Sequence, residues 1–164
     1  MRAPSLAGVS HVSLSVADVD AAARFWSEVM GFDAVAEESG FQLLVHRASL
    51  TALIVSDHGA AVRAPFDERR VGLDHLALAV PDDASLADWE RHLTACAIPH
   101  SGITTSDGGR HLNLRAPDEV PVELFVIEPS MLSALTGGGR PEDDPAGSQG
   151  PGFVPGDESR KLGA

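Results

Sequence analysis

The chain has 164 residues, 24 of them acidic and 12 basic, for a formal net charge of −12. A surface of that sign repels phosphate backbones, which disfavours nucleic acid as a partner and leaves small molecules as the expected ones. No apolar run approaches the roughly 18 to 20 residues that cross a bilayer, the N-terminus lacks a basic-then-apolar leader, and the lone Cys96 excludes an internal disulfide or a Cys-rich zinc site, so a cytoplasmic protein without membrane contact is expected.

The first predicted strand, Val9 to Val16, alternates: Val12, Leu14 and Val16 point one way, His11, Ser13 and Ser15 the other. A helix follows from an Asp18 cap, with Ala22, Phe25, Trp26, Val29 and Met30 at helical spacing and Gly31 as its stop. That stripe covers the apolar strand face. Three short strands, 34–37, 41–47 and 50–55, complete a first module over residues 1–56. A charged, turn-rich connector, 57–72, contains Pro65.

The second module, 73–132, repeats the plan. Strand Leu73 to Val80 leads to a helix capped by Ser85, with Asp88 three residues on and Leu86, Trp89, Leu93 and Cys96 on one stripe, stopped by Pro99. Strands 103–106, 111–115 and 120–127 follow, with Gly108-Gly109 as a hairpin signal. Residues 133–164, plainly so from Gly137, are rich in Gly, Pro and acids and read as a disordered tail whose apolar pair is Phe153 and Val154.

The two modules share a written phrase. His11-Val-Ser-Leu-Ser-Val16 and His75-Leu-Ala-Leu-Ala-Val80 lie 64 residues apart, and the aliphatic phrases Ala52-Leu-Ile-Val55 and Glu123-Leu-Phe-Val126 close the two halves. The fold class expected is therefore α+β, with two tandem βαβββ modules forming an open, cup-shaped eight-stranded β-sheet. His11, His75 and Glu123 all avoid the helix-covered faces, and small residues at Ser13, Ala77 and Ala79 leave room inside the cup. Two imidazoles and a carboxylate suit Fe(II), Mn(II), Ni(II), Co(II) or Zn(II) and leave coordination positions open for substrate. By alternation, Gln42 and His46 in the first module, and His111, Asn113 and Arg115 in the second, face the cup as substrate contacts or acid–base groups, and His100 reaches its rim.

The repeated strand-opening His and the Glu on the closing Pro-Val-Glu-Leu-Phe strand resemble the vicinal oxygen chelate superfamily, over about residues 6 to 130. This superfamily includes glyoxalase, fosfomycin-resistance enzymes, extradiol dioxygenases and bleomycin-binding proteins. The resemblance implies a divalent metal held by His11, His75 and Glu123, and a homodimer; the site lies either within one chain or across two, and in the second case His11 serves a site completed by His75 and Glu123 of the neighbour. Matching the closing phrases puts Ala52 where glyoxalase-like members carry a fourth ligand that is also the base. The chain has no Tyr, and Ser49 and Asn113 fall near the places of the extradiol acid–base pair, for which His46, His58 or His100 are the substitutes. Ser13 matches a hydroxyl position of the fosfomycin-resistance group. The expected function is an Fe(II)-favouring oxygenase on a small, oxygen-rich substrate, ahead of a metal-assisted lyase, isomerase or epoxide-opening enzyme, and of a drug-sequestering protein without catalysis.

Overall fold

The computed structural model describes residues 4, 5, 7–62 and 64–135. Each half begins with a strand whose apolar side needs a cover, and the following helix supplies it. In the first, β1 (Val12–Ser15) is followed by α1 (Val19–Arg24), which continues through Phe25–Val29 as a π-helical turn. The Asp18 carboxylate caps α1 by accepting the Ala21 N–H. The wider π turn keeps the adjacent Phe25 and Trp26 both buried, where a regular helix would splay them, and the Met30 N–H reaches the Phe25 carbonyl. Strands β2 (Asp33–Glu38), β3 (Phe41–His46) and β4 (Thr51–Ser56) complete the module.

The second half repeats this with β5 (Leu76–Ala79), α2 (Asp83–Ala95), β6 (His100–Ser106), β7 (Gly109–Arg115) and β8 (Pro121–Ile127), after which α3 spans Pro129–Leu135. The α2 cap is Asp82 and not Ser85. Its carboxylate accepts the Ser85 N–H, which holds it below the usual carboxylate range, so Ser85 is the donor to the cap, as Ala21 is to Asp18 in the first half. Cys96 is exposed, not on the buried stripe: the helix ends at Ala95, Ala97 turns with φ +56°, and the stripe stops at Leu93.

Within each half the sheet is mixed and open. Strand order is β1-β4-β3-β2 in one and β5-β8-β7-β6 in the other; β1 runs parallel to β4 and β5 to β8, all other pairs being antiparallel. The eight strands thus form two four-stranded sheets. Both first strands are shorter than their alternation suggests: the ladders start at Val12↔Leu53 and Leu76↔Val122. The preceding Val9 and Leu73 are 84% and 44% exposed, so their apolar alternation finds no face to bury against among the described residues. The helix α3 also extends past residue 132 into the segment expected as tail; Phe153, Val154 and the rest of that tail lie outside the described residues.

The helix-covered faces carry the core. Leu14, Val16, Leu44, Leu53 and Val55 pack with Trp26 and Met30, and Leu112, Leu114, Val122 and Leu124 with Leu86 and Leu93, all in one cluster spanning both halves. Polar ties join the halves on that side. The His92 Nε2–H of α2 donates to the Val29 carbonyl at 2.8 Å, and the Ala17 N–H donates to Asp118 Oδ2 at 2.8 Å. The Asp118 carbonyl also accepts the Phe66 N–H of the connector at 2.7 Å. The opposite faces are left open, with Ser13, Ser15, Ala77 and Ala79 exposed. Among the described residues no helix is long and apolar enough to cross a membrane.

Because Asp118 ties the turn before β8 to the start of α1 from a left-handed backbone position (φ +60°), losing its carboxylate breaks a contact that no neighbour replaces. Asp118→Ala is expected to lower unfolding stability by about 1–2 kcal/mol, read as a lower urea midpoint with unchanged slope.

Candidate metal centre

On the open face of the second sheet, Glu123 sits between the buried Val122 and Leu124, and its strand neighbours are Ala77 and Asn113. Strand parity forces its carboxylate away from the core. His75, on the residue before β5, brings Nε2 to 3.5 Å from Glu123 Oε2, and its Nδ1 lies 2.6 Å from Asp74 Oδ1. With the Nδ1–H donating to Asp74, the Nε2 lone pair faces the carboxylate side. A carboxylate behind a ligand imidazole fixes its tautomer and raises its basicity.

The donor set fits a divalent ion. Two ligands bound at about 2.0–2.2 Å in adjacent positions stand roughly 3 to 3.5 Å apart, the separation found here. The first half repeats half of this arrangement: His11 precedes β1, and its Nδ1 lies 3.0 Å from Ser10 Oγ, again leaving Nε2 outward. Ser10 and Asp74 occupy matching places, and neither was singled out by the sequence reading, although a polar residue immediately before each His is visible in it. Among the described residues no three His, Cys, Asp or Glu side chains gather as a metal site. One chain therefore supplies the His75–Glu123 pair in one place and His11 in another.

The registers also correct how the halves superimpose. Val12↔Leu53 matches Leu76↔Val122, so the counterpart of Glu123 is Ile54, two residues beyond Ala52. Both positions lie on the same face, which is why the aliphatic phrases could be aligned either way. The fourth-ligand position remains without a ligand.

The other candidate residues divide by face. Ser13 stands exposed on the open face beside His11, and His58, in a left-handed turn, brings Nε2 to 2.8 Å from Ser15 Oγ on the same face. Gln42 and His46 do not face the cup: they share a side with the fully buried Leu44. One side of the run is wholly apolar (Phe41, Leu43, Val45) and the other carries Leu44 between Gln42 and His46, so alternation points to the wrong face, and pairing with the buried Leu53 and Val55 decides it. His46 packs 5.4 Å from Phe32 by ring centroids and braces the turn at Ser49. Gln42 instead lines an open cleft of about 810 Å³ on the helix side, walled by Asp18, Asp20, Glu37, Glu38 and Asp57, remote from His75 by parity.

His111, Asn113 and Arg115 share the open face with Glu123 by register. His111 is buried and stacked on Phe125, forming floor more than contact surface. His100 is tied down, its Nε2 3.0 Å from Thr94 Oγ1 and its Nδ1 accepting the Gly102 N–H at 3.1 Å, so it secures the end of α2 and does not reach the rim. Arg115 forms a two-pronged ion pair with Glu68 of the connector, at 2.6 and 3.2 Å, and donates to the Glu119 carbonyl.

A family model described as Glyoxalase/Bleomycin resistance protein/Dioxygenase superfamily matches residues 8–124. The chain belongs to that superfamily. Among solved structures, a domain of this superfamily from Frankia sp. EAN1pec is 27% identical over 76% of this chain and 100% of its own, with TM-score 0.69. Lactoylglutathione lyase from Agrobacterium tumefaciens is 22% identical over 74% of this chain and 94% of its own, with TM-score 0.61. The fosfomycin resistance protein FosX from Listeria monocytogenes, crystallised with Mn(II) and sulfate, is 13% identical over 80% and 99%, with TM-score 0.62. The last two show the shared fold alone. No curated protein matches the chain.

The Arg115 guanidinium beside Glu68 holds that carboxyl below its ordinary range. Such a shift stabilises the docked connector above the ordinary glutamate pKa and loses effect as pH falls through the depressed value. The stability gap between wild type and Glu68→Gln is therefore expected to be largest near neutral pH and to close below about pH 4, as measured by thermal melts across that range.

Proposed function

We propose that this protein is a divalent-metal enzyme acting on a small, oxygen-rich molecule, with its site completed between two copies of the chain. The observation that carries this is the His75–Glu123 pair, 3.5 Å apart and backed by Asp74, on a sheet face that the chain itself leaves open. His11 of a second copy is the third ligand. Exposed Val9 beside His11, and Val71 and Leu73 beside His75, are apolar flanks that such a partner would cover.

When bound, the ion supplies a Lewis-acid centre for two neighbouring substrate oxygens. Iron(II) is favoured because three protein ligands leave room for both a chelating substrate and dioxygen, which makes an oxygenase the leading reaction class. Asp74 holds the His75 ring in the ligating tautomer. Asn113, beside Glu123 in the register, orients the substrate, and Ser13 with the Ser15–His58 pair offers hydroxyl and imidazole groups from the first-module face. Ile54 at the place of a fourth ligand weighs against an isomerase that needs a metal-bound base there, and leaves metal-assisted opening of an epoxide as the second reading.

Metal content by mass spectrometry on anaerobically purified protein tests the centre. Near-stoichiometric iron or manganese is expected in the wild type and its loss in His75→Ala and Glu123→Ala; an unchanged ion in both variants would disprove the assignment. Absence of metal from all three, even after reconstitution, would point to a ligand-sequestering protein. Sharing between chains has its own signature. Neither His11→Ala nor His75→Ala alone should turn over substrate or hold metal, but refolding them together should restore about a quarter of the sites, because half the dimers are mixed and each has one intact site. No recovery would place each site within one chain.

A further inference from the structure

We infer that Arg115 is the carboxylate-recognition residue of the open face, and that Glu68 of the connector is an internal stand-in which a substrate carboxylate displaces. This rests on the reading of that face as the substrate site. Among the described residues only two strand positions carry Arg or Lys, and Arg110 is turned to the helix side, paired with Asp83 of α2 at 2.9 Å. Arg115 alone among them stands on the open face. It lies one step along β7 from Asn113, opposite Pro121, and so about 7 Å along the sheet from the row that holds Glu123. A substrate chelated beside His75 and Glu123 is within one small molecule's length of it.

The occupant already there shows what the site takes. Glu68 meets the guanidinium with both oxygens, the planar fork-to-fork match that favours carboxylate over a point anion. The pair is built to exchange. Each side chain is 30% exposed, and a half-exposed ion pair contributes little net stability, so one carboxylate replaces another at small cost. The connector around Glu68 has no strand or helix, and its neighbours Arg69, Arg70 and Val71 are exposed. Glu68 thereby lets an open face that also carries Glu123 and Asp74 keep an arginine without leaving its charge unanswered, and a substrate anion arrives by substitution, with no net burial of new charge.

The test uses metal-free full-length protein, so that it does not depend on the metal centre. The Arg Nε–Hε signals are followed by ¹H–¹⁵N NMR during titration with sodium acetate at constant ionic strength, Arg115→Gln supplying the assignment. The Arg115 signal is expected to shift, with a half-saturation concentration about two- to sixfold lower in Glu68→Gln than in wild type, since the internal competitor is gone. In the wild type alone, saturating acetate should raise the pH midpoint of the Glu68 carboxyl carbon as Glu68 leaves the guanidinium. Equal titration of wild type and Glu68→Gln, or an unmoved Glu68 midpoint, would overturn the proposal. Tighter binding of methylphosphonate than of acetate would overturn the choice of carboxylate. The expected shifts in a protein that takes up no metal would uphold the carboxylate site and sink only the metal enzyme.

Discussion

Commitment of one face of each four-stranded sheet to its helix is the constraint on which the rest depends. A strand has two sides, and a single helix per module can dry only one of them. Once Leu14, Leu53 and Val55, or Leu112, Val122 and Leu124, are committed to the helix side, every intervening residue is delivered to the other. His75 needs no special loop to find Glu123; parallel pairing of β5 with β8 sets the two on neighbouring strands with their side chains on the same side.

Most of the frame is written in alternation and spacing. The 64-residue echo locates both modules, and the candidate histidines stand at module openings and Glu123 on a closing strand, where core residues on every second position make the pattern least ambiguous. The errors arise where that signal fails. Gln42 and His46 flank Leu44 on the more polar side of their strand, yet that side is the buried one, and only its pairing with Leu53 and Val55 reveals it. Ala52 and Ile54 are two apart, and a shift of two preserves parity, so no face argument could choose between them. Asp82 and Ser85 are both good capping residues three apart, and which one caps depends on where the chain leaves β5. Glu68 was invisible for a different reason: its partner is Arg115, 47 residues away across a connector whose path the local pattern does not encode.

The arrangement of halves explains why a complete ligand trio is absent from one chain. The helix-bearing sides share a core and are tied by His92 to Val29 and by Ala17 to Asp118, so the ligand-bearing faces look elsewhere. Duplication has placed His11 and His75 in equivalent frames, and each has kept a polar residue behind its ring, but Ser10 is neutral and Asp74 is charged. Asp74 can only accept and so fixes the His75 tautomer, whereas the Ser10 hydroxyl both donates and accepts and imposes none on His11.

A similar divergence runs across the sheet floors. Leu43 and Ile54 face each other in the first half at the places that Asn113 and Glu123 hold in the second. Identical scaffolding thus presents carbon on one side and hydrogen-bonding groups on the other. In the proposed shared site, a molecule lying against both floors would need one greasy edge and one polar edge, and turning it end for end would strand its polar groups on Leu43 and Ile54. Selectivity for orientation is thereby inherent in how two copies of one module came to differ, before any loop is added to refine it.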